Sequence, residues 1–172
     1  MPILPAVSAH PDVGCTIRLA RPEDYDGIQP LAEQMDALHR EHLPERFRKH
    51  DGPPRSREYV MSLIEDDETM LAVAESDGTL VGIINCGLSR TPDIPIKVRR
   101  LFVKVRGVVV DRAYRRRGIG RALMERAADW ARERGASEVQ LNLYAYNEDG
   151  AAFYRALGFS VLSSRLVRPV SG

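Results

Sequence analysis

Between Tyr114 and Met124 the chain reads YRRRGIGRALM, three consecutive arginines and two glycines at the start of a helical run. Glycine lets a backbone approach a ligand closely, and the first amides of a helix have no partners inside it. A strand ending at Val110 that turns through these residues into a helix would therefore collect N–H donors and the positive end of the helix dipole around an anion. Arg115, Arg116 and Arg117 add mobile charge at the rim, and a pyrophosphate is the guest that suits such a corner. Taken alone, the pattern also describes a solvated basic face. Two other nucleotide signatures are excluded: there is no GxxxxGK[ST], and position 123 is Leu where GxGxxG would need a third glycine.

The elements that would hold this corner are legible from periodicity. RPEDYDGIQPLAEQMDALHREHL reads as a helix with Ile28, Leu31, Met35 and Leu38 on one face, disturbed at Pro30. A second helix follows Ser56 as N-cap, with Tyr59, Val60, Leu63 and Ile64 as its stripe. The period then changes to two: TMLAVAES and LVGIINCGLS form a hairpin around Asp77 and Gly78. A loop through Thr91 to Pro95 leads to a long strand, KVRRLFVKVRGVVV, in which Leu101, Val103, Val105 and Val109 share one parity and Lys104 and Arg106 the other. Beyond the corner, Ile119, Leu123, Ala127, Trp130 and Ala131 form a helical face that stops at Gly135. EVQLNLYAY reads as a strand, Asn147 as the cap of a short helix ending at Gly158, and FSVLSSRLVRPV as a closing strand.

The 172 residues fit one domain, 15–172, behind a flexible tail, 1–14. The formal net charge of +1 carries no general excess for nucleic acid, so any basic site is local. Cys15 and Cys86 stand apart and read as reduced, buried side chains. No basic leader precedes an apolar core and no apolar run approaches membrane-spanning length, which implies a cytoplasmic protein with no membrane partner. His39 and His42 lack a third ligand nearby, so no metal is expected.

The chain resembles the GNAT superfamily of N-acetyltransferases, which bind acetyl-CoA. Arg115, Gly118 and Gly120 match the family signature of Arg or Gln, two residues, Gly, one residue, then Gly or Ala. NEDGAAFYRALGF supplies a second block, with Asn147, Phe153, Tyr154, Gly158 and Phe159 at the family's spacing. The resemblance implies an α/β fold of the acyl-CoA N-acyltransferase type. Its central sheet would be mixed, mostly antiparallel, with about six or seven strands and four flanking helices. It also implies that the amides of Arg115, Arg116, Arg117, Gly118, Ile119, Gly120, Arg121 and Ala122 hold the pyrophosphate of CoA. Val108, Val109 and Val110 would pair with pantetheine as if it were another strand. Asn147 would bond the pantetheine arm, and Gly107 fits a departure of the strand from its neighbour.

The implied reaction moves the acetyl group to a primary amine of a small molecule or peptide by direct attack through a tetrahedral intermediate. The Val110 amide is the candidate oxyanion donor and Tyr154 the candidate general acid, while Phe153 belongs to the core. A lysine-like amine is neutral in only about one molecule in 2,500 at pH 7, a deficit of ~4.6 kcal/mol. Many relatives place Glu four residues before the position matching Val110, but this chain has Arg106. No base is therefore assigned; a water relay or an acceptor of low pKa takes its place. Glu33, Asp36 and Glu41 are candidates to attract a cation, and Arg99, Arg106 and Arg165 to hold a carboxylate. The alternatives are a CoA-binding regulatory module without turnover and, last, a nucleic-acid binder using Arg112 to Arg121, a stretch poor in stacking aromatics. Dimers are common among relatives, which leaves a homodimer open.

Overall fold

Alternating apolar residues pair into a six-stranded sheet in the order β1-β2-β3-β4-β5-β6. The computed structural model describes residues 8–10 and 13–170. The strands are β1 (Ser8–His10), β2 (Cys15–Leu19), β3 (Thr69–Ser76), β4 (Thr79–Arg90), β5 (Leu101–Val110) and β6 (Val139–Leu141). Neighbours run antiparallel except β5 and β6, which are parallel and joined through the corner and its helix. Asp77 and Gly78, with φ of 48° and 75°, make the β3–β4 turn, since a type I′ turn needs positive φ at both central residues. Ser8–His10 lies in the segment expected as a tail, yet it pairs with β2; residues 1–7 and 11–12 lie outside the described residues.

Helices α1 (Tyr25–His42) and α2 (Arg57–Glu65) bury one stripe each against the sheet. Ile28 and Leu31 of α1 and Val60 and Leu63 of α2 pack with Leu71, Val73, Ile83 and Val109. Each such side chain, once buried, contributes roughly 1.5–3 kcal/mol. Ser56 caps α2 by accepting from the Tyr59 amide at 3.2 Å. The expected disturbance at Pro30 produces no break, because a proline in the second turn removes only one backbone bond from an 18-residue helix. Helix α3 (Ile119–Glu133) covers the opposite face: a Cβ placed on Gly82 would meet Leu123 at 3.1 Å and Ile119 at 3.4 Å.

The β4–β5 ladder contains the irregularity that matters most. Asn85 pairs with Gly107 but Cys86 pairs with Val105, so Arg106 is an extra residue, a β-bulge. Cross-strand partners share a face. Val109, opposite Ile83, therefore points toward α1 and α2, while Val105, opposite Cys86, points the other way. The single parity expected of Leu101, Val103, Val105 and Val109 is corrected here: the bulge inverts the pleat, and Val109 leaves the other three.

The chain divides by its backbone packing into Met1–Asn142, described so far, and Leu143–Gly172. The second unit contains α4 (Glu148–Ala156), closed by Gly158 at φ 88°. The expected strand EVQLNLYAY shortens to Val139–Leu141, and FSVLSSRLVRPV forms no strand. Alternation alone predicts a strand there, but a strand exists only through ladder partners, and Val161, Leu162 and Leu166 remain 80–92% exposed. Among the described residues no helix is long and apolar enough to cross a membrane.

Candidate functional site

The corner between β5 and α3 is built from backbone. Asp111 accepts from the Ala113 amide at 2.8 Å and starts a single helical turn, Arg112–Tyr114. Arg116 at φ 65° and Gly118 at φ 84° then swing the chain into α3. Gly118 is the N-cap, no side chain caps the helix and no acidic residue stands in its first turn. The first intrahelical bond runs from the Ala122 amide to the Gly118 carbonyl at 3.0 Å, so the amides of Ile119, Gly120 and Arg121 precede it. With the helix dipole behind them, these donors suit an anion. Arg115 donates to the Val110 carbonyl at 3.1 Å and Arg117 to the Ala113 carbonyl at 3.2 Å, so two of the three arginines are folded back onto the corner.

Gln34 of α1 clamps this corner. Its amide donates to Asp111 at 2.8 Å and its carbonyl accepts from the Arg112 amide at 3.0 Å. Nothing in the spacing of the sequence marked this residue, because its partners lie 77 and 78 positions away.

The outer edge of β5 changes character at the bulge. Strand β6 pairs with Val103, Lys104 and Val105 only, and no ladder partner follows from Arg106 to Val110 among the described residues. The Asp111 amide donates to the Val81 carbonyl at 2.8 Å, which makes Gly82–Val110 a non-hydrogen-bonded pair and Ile83–Val109 the pair that exchanges both bonds. The N–H groups of Val108 and Val110 therefore point away from β4 toward the open edge. Val109 spends its backbone on β4 and its side chain in the core.

On the inner face, a cavity of about 100 Å³ lies against the same stretch of β5, lined by residues of α1, α2, β3 and β4. Its walls are apolar apart from Arg55, Tyr59, Asn85 and Arg106. Asn85 Oδ1 is buried without a hydrogen-bond partner, a state that costs about 1–3 kcal/mol when nothing fills it. Its signal in the sequence was faint: a lone amide in the apolar run LVGIINCGLS, with the parity of Ile83. Arg106 reaches across β4 over Gly87, where a Cβ would sit 2.5 Å from Nη2, and donates to the Thr69 hydroxyl at 3.4 Å. The Glu68 amide and Thr69 hydroxyl, with the Arg106 charge, hold the Asp66 carboxyl below its usual range.

Most of the other charged candidates are occupied elsewhere. Glu33 pairs with Arg40 at 2.6 Å, Asp36 with Arg55 at 2.7 Å and Arg99 with Asp93 at 2.7 Å. His39 stacks on Phe47 and burial pushes its imidazole down; His42 contacts the Leu38 carbonyl. Among the described residues no cluster of His, Cys, Asp and Glu could hold a metal. Cys15 and Cys86 are free and buried, and burial pushes the Cys86 thiol up to about 12.

Asn147 and Tyr154 belong to the second unit. Asn147 caps α4 by accepting from the Gly150 amide at 2.8 Å, and a Cβ on Gly150 would lie 2.6 Å from its Nδ2, so the glycine makes room for the amide. Tyr154 packs edge-on between Phe153 and Phe159, with ring centroids 5.1 and 5.7 Å away. Burial pushes its phenol above the usual range. Arg165 follows α4, exposed.

Comparison with known proteins finds relatives in sequence and in structure. The protein is 33% identical over 104 residues to an uncharacterized N-acetyltransferase of Methanocaldococcus jannaschii, covering 60% of this chain and 45% of that one. It spans about half the length of the curated relatives it matches. In structure it resembles a tetramutant of a Bacillus halodurans protein, with a TM-score of 0.85 at 22% identity over 90% of this chain and 99% of that one. It also resembles an aminoglycoside N-acetyltransferase solved in complex with CoA, with a TM-score of 0.67 at 16% identity over 91% and 99% of the two chains. The profile of the acetyltransferase (GNAT) family matches residues 33–159, three-quarters of the sequence and all of the corner, so this chain is a member of that family and has its fold.

Proposed function

We propose that the protein transfers the acetyl group of acetyl-CoA to a primary amine. The observation that carries this reading is the corner itself, where left-handed Gly118 opens α3 with no side chain over its first amides. The amides from Arg115 to Arg121 would hold the pyrophosphate, with those of Ile119, Gly120 and Arg121 unspent on the helix; the Ala122 amide, expected among them, is engaged by the Gly118 carbonyl. Val108 and Val110 would pair with the pantetheine arm along the open edge, Val109 contributing position rather than hydrogen bonds. Asn147, its oxygen engaged at α4, would offer its Nδ2 to the same arm.

Acetyl-CoA supplies an acetyl thioester whose carbonyl the amine attacks. The Val110 N–H would stabilise the charge that develops on that oxygen, a role worth roughly 3 kcal/mol. Tyr154 would return a proton to the departing thiolate. Its raised pKa keeps the phenol protonated at neutral pH but weakens it as an acid, so transfer relies on contact with the sulfur. The surplus proton of the amine would pass to water, since Arg106 at the bulge is no base.

Calorimetry with acetyl-CoA, followed by thiol release across a panel of amines, tests this. Binding and turnover support it; no binding removes it. Arg106 itself favours a second reading, a CoA-binding module without turnover, and binding with no thiol release from any amine selects that one. The reading includes a cytoplasmic protein needing neither metal nor nucleic acid.

A further inference from the structure

The cavity on the α1 and α2 face says what kind of amine would fit, and the inference rests on the acetyltransferase reading above. No Asp or Glu lines the cavity, and its two charged residues are both arginines. Arg55 is neutralised by Asp36 through two hydrogen bonds of 2.7 and 2.9 Å. Arg106 forms no ion pair among the described residues; its nearest counter-charge is Asp66, whose carboxyl it helps to hold low and which accepts from the Glu68 amide and the Thr69 hydroxyl. With no carboxylate on its wall and an arginine free of direct ion pairing, the cavity offers a cation nothing to pair with and offers an anionic group the Arg106 guanidinium.

Size and spacing narrow the class further. About 100 Å³ is less than the ~150 Å³ of an enclosed cavity that holds benzene, so it seats an aliphatic side chain, while the pocket's open mouth leaves the rest of an acceptor outside it. Asn85 and Gly87 stand two residues apart on one face of β4, roughly 7 Å, and the Arg106 guanidinium lies over Gly87.

We infer that the acceptor is a small apolar amino acid: Arg106 takes its carboxylate, its amine lies beside the Asn85 side chain, and Met35, Leu63 and Ile83 enclose its side chain. Transfer forms the N–C bond of an N-acetylamino acid and breaks the C–S bond of the thioester. The thiolate would take a proton from Tyr154, the nitrogen would release one to water, and the tyrosine would regain its proton from solvent.

The test compares L-leucine, L-leucinamide and 3-methylbutylamine, which share a side chain and differ in the carboxylate, by thiol release and by calorimetry on the full chain. Leucine should exceed both others at least 100-fold in kcat/KM. Arg106→Ala should erase that preference without changing acetyl-CoA affinity. Gly87→Ala, which keeps the charge but displaces the guanidinium, should reduce the preference several-fold. Equal turnover of the three amines overturns the inference and leaves the acetyltransferase reading standing. Leucine binding that depends on Arg106, with no thiol release, keeps the site and removes the enzyme. Failure of leucine both to bind and to react overturns the inference.

Discussion

In the proposed reading, the two ends of the site along β5 do different work with different parts of the chain. At Val110 and the corner beyond it, the proposed working groups are backbone amides, aimed by a left-handed glycine and a helix dipole. At the bulge, three and four residues earlier, the groups proposed to meet the acceptor are side chains, Arg106 and its neighbour Asn85, positioned by the register of two strands. A site built of amides tolerates almost any side chain that leaves the backbone path intact. A site built of side chains keeps its backbone and changes its partner with one substitution.

Mutations can separate the two ends. The largest effect should fall outside both: Tyr154→Phe should lower kcat about 100-fold or more while acetyl-CoA affinity, read by calorimetry, stays put. A pH–rate profile of the wild type should rise as the amine deprotonates and show no falling limb through the usual phenol range near ~10, because burial raises the Tyr154 pKa; a falling limb below that range counts against the assignment. Next, Gly120→Leu should weaken acetyl-CoA binding by about 30-fold by crowding the helix entrance and leave the ranking of amines unchanged. A shifted ranking would mean that the two ends are one site.

Gln34→Ala should touch both ends modestly. It removes two hydrogen bonds that tie α1, a wall of the cavity, to the corner. A loss of about 1–2 kcal/mol, seen as a Tm lowered by a few degrees, should accompany a several-fold rise in KM for both substrates. The smallest effect belongs to Asp24→Asn, far from either. Arg18 holds the Asp24 carboxyl below its usual range, so the pair stabilises the fold above the unfolded pKa of about 4 and that contribution is lost as pH falls through the lowered folded value. The variant should be about 1 kcal/mol less stable at pH 7, and the gap should close in acid.

What the sequence made legible follows the same division. Backbone sites are written as local spacing, so Arg115, Gly118 and Gly120 disclosed the corner, and Asn147 and Gly158 the limits of α4. Helices α1 to α3 and the hairpin were legible because 3.6-residue and two-residue periods are local too. Asn85 and Gln34 were not, since each acquires meaning only from residues far along the chain, Gly107 and Asp111. The parity of Val109 was misread for that reason, because a bulge is a relation between two strands. Strand β1 was missed because three residues carry too little pattern, and the closing strand was expected because FSVLSSRLVRPV carries the pattern without a partner to complete it.

The bulge leaves a constraint on how this protein can change. Arg106 is both a charge and the one surplus unit in the β4–β5 count, and the two properties are independent. Exchanging its side chain resets the chemistry at one spot and leaves the hydrophobic layers alone. Deleting it would slide every later residue of the strand by one and turn Val109 out of the layer it fills, so natural variation here should take the form of substitution, never of shortening.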